Sequence, residues 1–197
     1  MTSTRTKLVL ASGAALLLVV VAGVAYAFGL PPFEKKGTVR ASAVCKTLGS
    51  PADAAAALNR LLPAEPSYSF DDALTDFRTD ASDDTYETSC FVNGGGRQLM
   101  SVTAEMAEYE NSDSWVEEAV GQLVSRSDLT PFTAGDKAVA SGSAAAVYVP
   151  CASKGAPRYL SVVVDLKERG GAKGAESRRE LITLARSAAA FAHHKAK

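Results

Sequence analysis

The sequence predicts an α+β domain, with a mainly antiparallel sheet and helices on one face, behind an N-terminal transmembrane helix. Three observations carry this. Leu8 to Leu30 is a run of 23 residues without a charge. Two apolar stretches are each split by a glycine-containing turn, around Asn93-Gly94-Gly95-Gly96 and around Lys154-Gly155-Ala156-Pro157, and read as β-hairpins. After each hairpin, apolar residues recur at helical spacing. The resulting order is helix, then strand-strand-helix twice, which favours a sheet of neighbouring antiparallel strands.

The apolar run comes first. At ~1.5 Å per helical residue it reaches roughly 35 Å, past a hydrocarbon core of about 30 Å. Arg5, Lys7 and the α-amino group precede it, and Glu34, Lys35, Lys36 and Arg40 follow it. This bias reads residues 1–7 as a cytoplasmic tail, 8–30 as a single-pass anchor and the rest as extracytoplasmic. The alternative is a cleaved signal peptide. Ala25-Tyr26-Ala27 fits the small-x-small pattern, and cleavage after Ala27 would release a secreted form of the same domain. The run exceeds the ~7 to 15 residues of a signal h-region, which favours the anchor.

Pro31-Pro32 ends the span. Residues 31–43 read as a juxtamembrane linker and 44–197 as the outer domain. Ser50-Pro51-Ala52-Asp53 is a helix start, with a capping hydroxyl, a first-turn proline and an acid at the positive dipole end. That helix runs to Leu62, before Pro63. Pro66 to Thr85 reads as an irregular acidic loop with Asp71, Asp72, Asp76, Asp80, Asp83 and Asp84. Phe70, Leu74 and Phe77 suggest a short helix inside it. Tyr86 to Val92 and Gln98 to Ala107 are the first strand pair. A helix follows from Ser112 or Asp113 to Arg126, with Trp115, Val116, Ala119, Val120, Leu123 and Val124 on its apolar face. Leu129 to Ala140 reads as loop. Ala144 to Cys151 and Tyr159 to Leu166 are the second strand pair, and Gly170-Gly171 is a break. The last helix spans Ala175 to His194, with Leu181, Ile182, Leu184, Ala185, Ala188 and Phe191 inward. Cys90, Leu99 and Val102 repeat as Cys151, Leu160 and Val163 at the same spacing, which suggests a pseudo-twofold repeat.

Residues 31–197 number 167, one domain's worth. Removing Arg5 and Lys7 from a chain of net charge −1 leaves −3 outside the membrane. A mild, mixed charge of this kind excludes a nucleic-acid partner, which calls for a basic stripe. The three cysteines, Cys45, Cys90 and Cys151, allow one disulfide in an oxidising compartment. Cys45 with Cys90 is the preferred pair and Cys90 with Cys151 its rival. In the first case Cys151 is the candidate free thiol, made inert by apolar strand surroundings.

Val44-Cys45-Lys46-Thr47-Leu48 before a helix, Ser89-Cys90-Phe91-Val92 in a strand and Tyr148-Val149-Pro150-Cys151 resemble corresponding pieces of small extracytoplasmic domains of actinobacterial membrane-anchored proteins and lipoproteins. The resemblance covers residues 44 to 192. It implies location and fold, and no activity. Such domains often carry a fourth cysteine after the last helix, where this chain has none.

Other motifs point away from chemistry. His193 and His194 project about 100° apart on a helix, so they cap its negative end rather than converge on a metal. The acidic stretch lacks the order of a calcium loop. Gly170 to Gly174 precedes a helix without the Gly-Lys-Ser/Thr ending of a phosphate loop. There is no Gly-x-Ser-x-Gly. No cofactor and no metal are therefore expected. The expected role is a membrane-anchored extracytoplasmic binding or interaction domain, with an envelope protein or a small ligand as partner. The alternative is a cell-envelope enzyme using carboxylates of the acidic loop.

Overall fold

The computed structural model describes Val20, Gly23 and residues 36–76, 85–151 and 157–196. The expected anchor lies outside the described residues except at Val20 and Gly23. Among the described residues no helix is long and apolar enough to cross a membrane. The chain divides into two units, Met1–Lys36 and Gly37–Lys197, and every element below belongs to the second.

That unit is α+β. Its seven strands are β1 Tyr68–Asp76, β2 Glu87–Gly94, β3 Arg97–Glu108, β4 Thr130–Pro131, β5 Lys137–Ala140, β6 Ala144–Cys151 and β7 Arg158–Leu166. They form one antiparallel sheet in the order β1-β2-β3-β7-β6-β5-β4. Three helices accompany it: α1 Pro51–Leu61, α2 Ser112–Val120 and α3 Ala175–Lys195.

The strands of both expected hairpins pair, β2 with β3 and β6 with β7, and the second turn, residues 152–156, lies outside the described residues. The first closes through Gly95 and Gly96, with φ of 57° and 73°. Two successive positive φ values make the tight turn whose twist matches the strands, and glycine adopts them without a Cβ clash. The last helix also forms, burying Leu181, Leu184, Ala185 and Ala188 at helical spacing. Ile182 and Phe191, expected inward as well, are half-buried.

Several expectations are corrected. Phe70 and Leu74 lie in a strand, β1, rather than in a loop or short helix. Residues four apart share a face in both a helix and a strand, so their spacing did not discriminate. Phe77 lies outside the described residues. Leu129 to Ala140 is not all loop: β4 and β5 pair there, with Thr130 opposite Ala140 and Pro131 opposite Val139. Helix α2 ends at Val120 rather than Arg126, because Gly121 starts a turn and Arg126–Asp128 is a separate 3-10 turn. Its cap is Asn111, whose side chain accepts the Asp113 N–H at 2.9 Å.

The helices do not share one face. Alternate residues of β7 separate the two: Leu160, Val162 and Val164 pack with α1 and α3, whereas Tyr159 and Val163 pack with α2. The half of the sheet around β6 is covered on both sides, which explains why Ala144 to Tyr148 are buried in succession. Trp115 of α2 stacks on Tyr148 with centroids 4.8 Å apart, and its indole N–H donates to Ser161 Oγ at 2.9 Å.

The pseudo-twofold survives in strand order alone, since β1-β2-β3 mirrors β7-β6-β5 about the β3–β7 seam. Cys90 stands opposite Val102, but Cys151 stands opposite Arg158. A twofold normal to the sheet would also place α2 and α3 on one face.

Within the expected linker, the chain is tied down from Gly37 onward. Gly37 N–H donates to Glu65 O at 2.7 Å, and Val39 exchanges two hydrogen bonds with the Asn59 side chain at 2.9 Å each. Helices α1 and α3 are locked by Arg60, which donates to the buried Glu180 carboxylate at 2.7 Å. Arg60→Ala leaves that carboxylate, among the described residues, with only the longer contact to Arg179, at 3.8 Å. The expected loss is about 2 kcal/mol, below the ~3–5 of a fully buried pair because the guanidinium is half-exposed. A urea midpoint shift at unchanged slope measures it; a shift near zero contradicts it.

Candidate functional site

The site is built where β1, β2, the turn before α1 and the end of α3 meet. Lys46–Leu48 is a single 3-10 turn. A disulfide between Cys45 and Cys90, with Cα atoms 5.9 Å apart, fastens it to β2. This is the preferred pairing of the sequence reading. Cys151 remains a thiol and is buried, with its Sγ 3.4 Å from Ala196 O. Asp72 on β1 fastens the turn a second time. Its Oδ2 accepts the Lys46 N–H at 2.9 Å, and its Oδ1 accepts the Thr47 hydroxyl at 2.8 Å. These are charge-assisted bonds at the donor end of a turn.

Proton bookkeeping orders the next contact. Thr47 gives its one hydroxyl proton to Asp72, so Thr88 donates to Thr47 across 2.6 Å. The 3.2 Å approach of Thr88 to Ala73 O is then the weaker alternative for the same proton.

Around this network lies a pocket of about 310 Å³ lined by Lys46, Thr47, Asp72, Leu74, Tyr86, Thr88, Phe191 and Lys195. Tyr86 is 3% exposed, and its hydroxyl has no hydrogen-bond partner among the described residues. Burial, and secondarily the negative charge of Asp72, push this phenol up to about 12. Leu74 is 42% exposed, an unusual amount for a large apolar side chain beside a pocket. Phe191 is half-buried and carries the Lys195 ammonium 5.9 Å from its ring centroid.

The expected candidates fall elsewhere. Asp71 is exposed on the opposite sheet face from Asp72, as neighbours on a strand must be. Asp80, Asp83 and Asp84 lie outside the described residues. Among the described residues Asp72 is the only carboxylate on the pocket lining, and it is bonded. His193 is half-buried and His194 exposed. Among the described residues no group of three or more His, Cys, Asp or Glu could hold a metal. A more open groove of about 340 Å³ beside α2 is lined in part by Glu105, Glu118 and Asp165, with Lys167 paired to Asp165.

Sequence reasoning missed Lys46, Thr47, Tyr86, Thr88 and Lys195 as a group. One signal was present. Pairing Cys45 with Cys90 brings residues 46–48 beside residue 88, because each lies within a few positions of a bridged cysteine. The structure shows a pocket beside the disulfide of an α+β domain. Comparison with protein-family models, curated proteins and solved structures finds no match.

Proposed function

We propose that the protein is a single-pass, membrane-anchored extracytoplasmic domain that binds a small ligand in the pocket beside the Cys45–Cys90 disulfide. The observation that carries the binding reading is the Tyr86 hydroxyl, buried at a pocket and without a partner. An unmet buried hydroxyl costs about 1–3 kcal/mol, a cost that a ligand polar atom would remove. The charge-free run Leu8 to Leu30 and the buried disulfide support the location. The bonded state of Asp72 favours binding over catalysis by paired carboxylates.

The test uses the full chain. It is expected to sediment with membranes and resist alkaline extraction. In a thermal-shift screen of envelope-derived small molecules, a ligand at a hundred times its Kd adds about 2.7 kcal/mol, or roughly 5–10 °C in Tm for a unit of this size. A chain found in the soluble fraction overturns the anchor. A screen without any shift overturns the binding role.

A further inference from the structure

We infer, building on the binding role proposed above, that the pocket takes a small organic carboxylate with an apolar body. Three groups at its wall can each donate a hydrogen bond to a ligand, and one of them, the Tyr86 hydroxyl, can also accept one. The Lys46 and Lys195 side chains are exposed, and neither ammonium forms an ion pair among the described residues. The third unmet group is the Tyr86 hydroxyl. The charged acceptor, by contrast, is already engaged. Asp72 accepts from the Lys46–Leu48 turn with both oxygens, and Thr47 accepts from Thr88, which leaves the Thr88 oxygen as a neutral acceptor.

A cationic ligand would meet two ammonium groups and find no spare carboxylate among the described residues. A neutral ligand would satisfy Tyr86 and gain nothing from the lysines. An anion is the ligand that the lysines and the Tyr86 hydroxyl can all favour, and two separate lysines suit it as point charges without the fixed fork of an arginine. The body is set by Leu74 and Phe191, which offer the ligand an apolar wall. About 310 Å³ lies at the small end of ligand pockets, which run ~300–1,000 Å³. This size favours a short aliphatic or aromatic acid.

The experiment uses the full chain in nanodiscs of neutral lipid, with benzoate and hexanoate as probes. Their alcohol and amine analogues match them in shape and differ in charge. Both carboxylates are expected to bind, and the analogues to bind at least tenfold more weakly. Raising the salt from 50 to 500 mM is expected to weaken carboxylate binding several-fold, since the lysines are exposed. Lys46→Met with Lys195→Met removes the preference for the acid. Tyr86→Phe, which keeps the ring in place, weakens carboxylate binding about tenfold.

Equal binding of acid, alcohol and amine overturns the carboxylate assignment and leaves the binding role standing. So does binding that appears only with nanodiscs of phosphatidylglycerol and ignores the soluble acids, since the occupant is then a lipid surface. A carboxylate affinity unchanged in all three substitutions also overturns it. Failure of every probe, together with an empty thermal-shift screen, overturns the binding role itself.

Discussion

Replacing Cys45 and Cys90 together by alanine is expected to lower the stability of the domain by about 4 kcal/mol. The two cysteines are 45 residues apart in sequence. In the loop-entropy account, releasing a closure of this size returns about 4 kcal/mol of chain entropy to the unfolded ensemble. Domains of this kind have roughly 5–15 kcal/mol in total, so the loss is a large fraction of the whole. Both sulfurs are buried, at 3% and 0% residue exposure. Alanine therefore also removes packing from under the Lys46–Leu48 turn. Asp72 still holds that turn by its hydrogen bonds, so the turn loosens without being released. Urea unfolding of the double variant and of the native chain measures the effect. The slope should steepen as well, because an uncrosslinked unfolded chain exposes more surface. A midpoint difference worth under 1 kcal/mol would contradict the prediction. Thiol counting gives an independent check. One cysteine reacts after denaturation and three after denaturation with reductant.

The same bridge explains how much of the site was legible from the residues. The two strand pairs and the first and last helices were readable because each rests on local chemistry, whereas Cys45 with Cys90, 45 residues apart, was a preference that only the folded chain decides. A Gly95-Gly96 turn, a Ser50-Pro51 start and an i, i+3, i+4 apolar stripe need no knowledge of distant contacts. What failed was long-range. Phe70 and Leu74 carry a spacing common to both periods, and only the pairing of Phe70 with Val92 and Leu74 with Thr88 selects the strand. The short β5 strand, Lys137 to Ala140, exists because β6 offers it an edge. The uninterrupted apolar run Ala144 to Val149 was the readable sign of a strand covered on both faces, and therefore of helices on both faces. Tyr86 reads as the first residue of a strand. Its significance lies in a missing partner, and a missing partner is a property of the folded neighbourhood alone.

Gly170 provides the sharpest test of that neighbourhood. In the sequence, Gly170-Gly171 is a break between a strand and a helix, and the two glycines look equivalent. In the structure they are not. A Cβ on Gly170 would stand 2.1 Å from Leu62 O and 2.5 Å from Leu61 O, whereas a Cβ on Gly171 meets nothing within 4 Å. The closeness has a purpose. Gly170 N–H donates to Leu61 O at 2.8 Å and Ala172 N–H to Arg60 O at 3.3 Å. These bonds satisfy carbonyls at the end of α1 that have no partner within the helix. Gly170→Ala must push backbone away from backbone, because no flexible side chain stands there to yield. The expected cost is about 3 kcal/mol or more, from overpacking together with the lost bond to Leu61. Gly171→Ala is expected to be neutral or stabilising by up to about 1 kcal/mol, since it stiffens the unfolded chain without a clash. Thermal melts of the two variants should then differ by roughly 6–12 °C. Equal melting temperatures would mean that the segment after β7 does not cap α1, and with it the close joint between α1 and the chain leading into α3 would be lost.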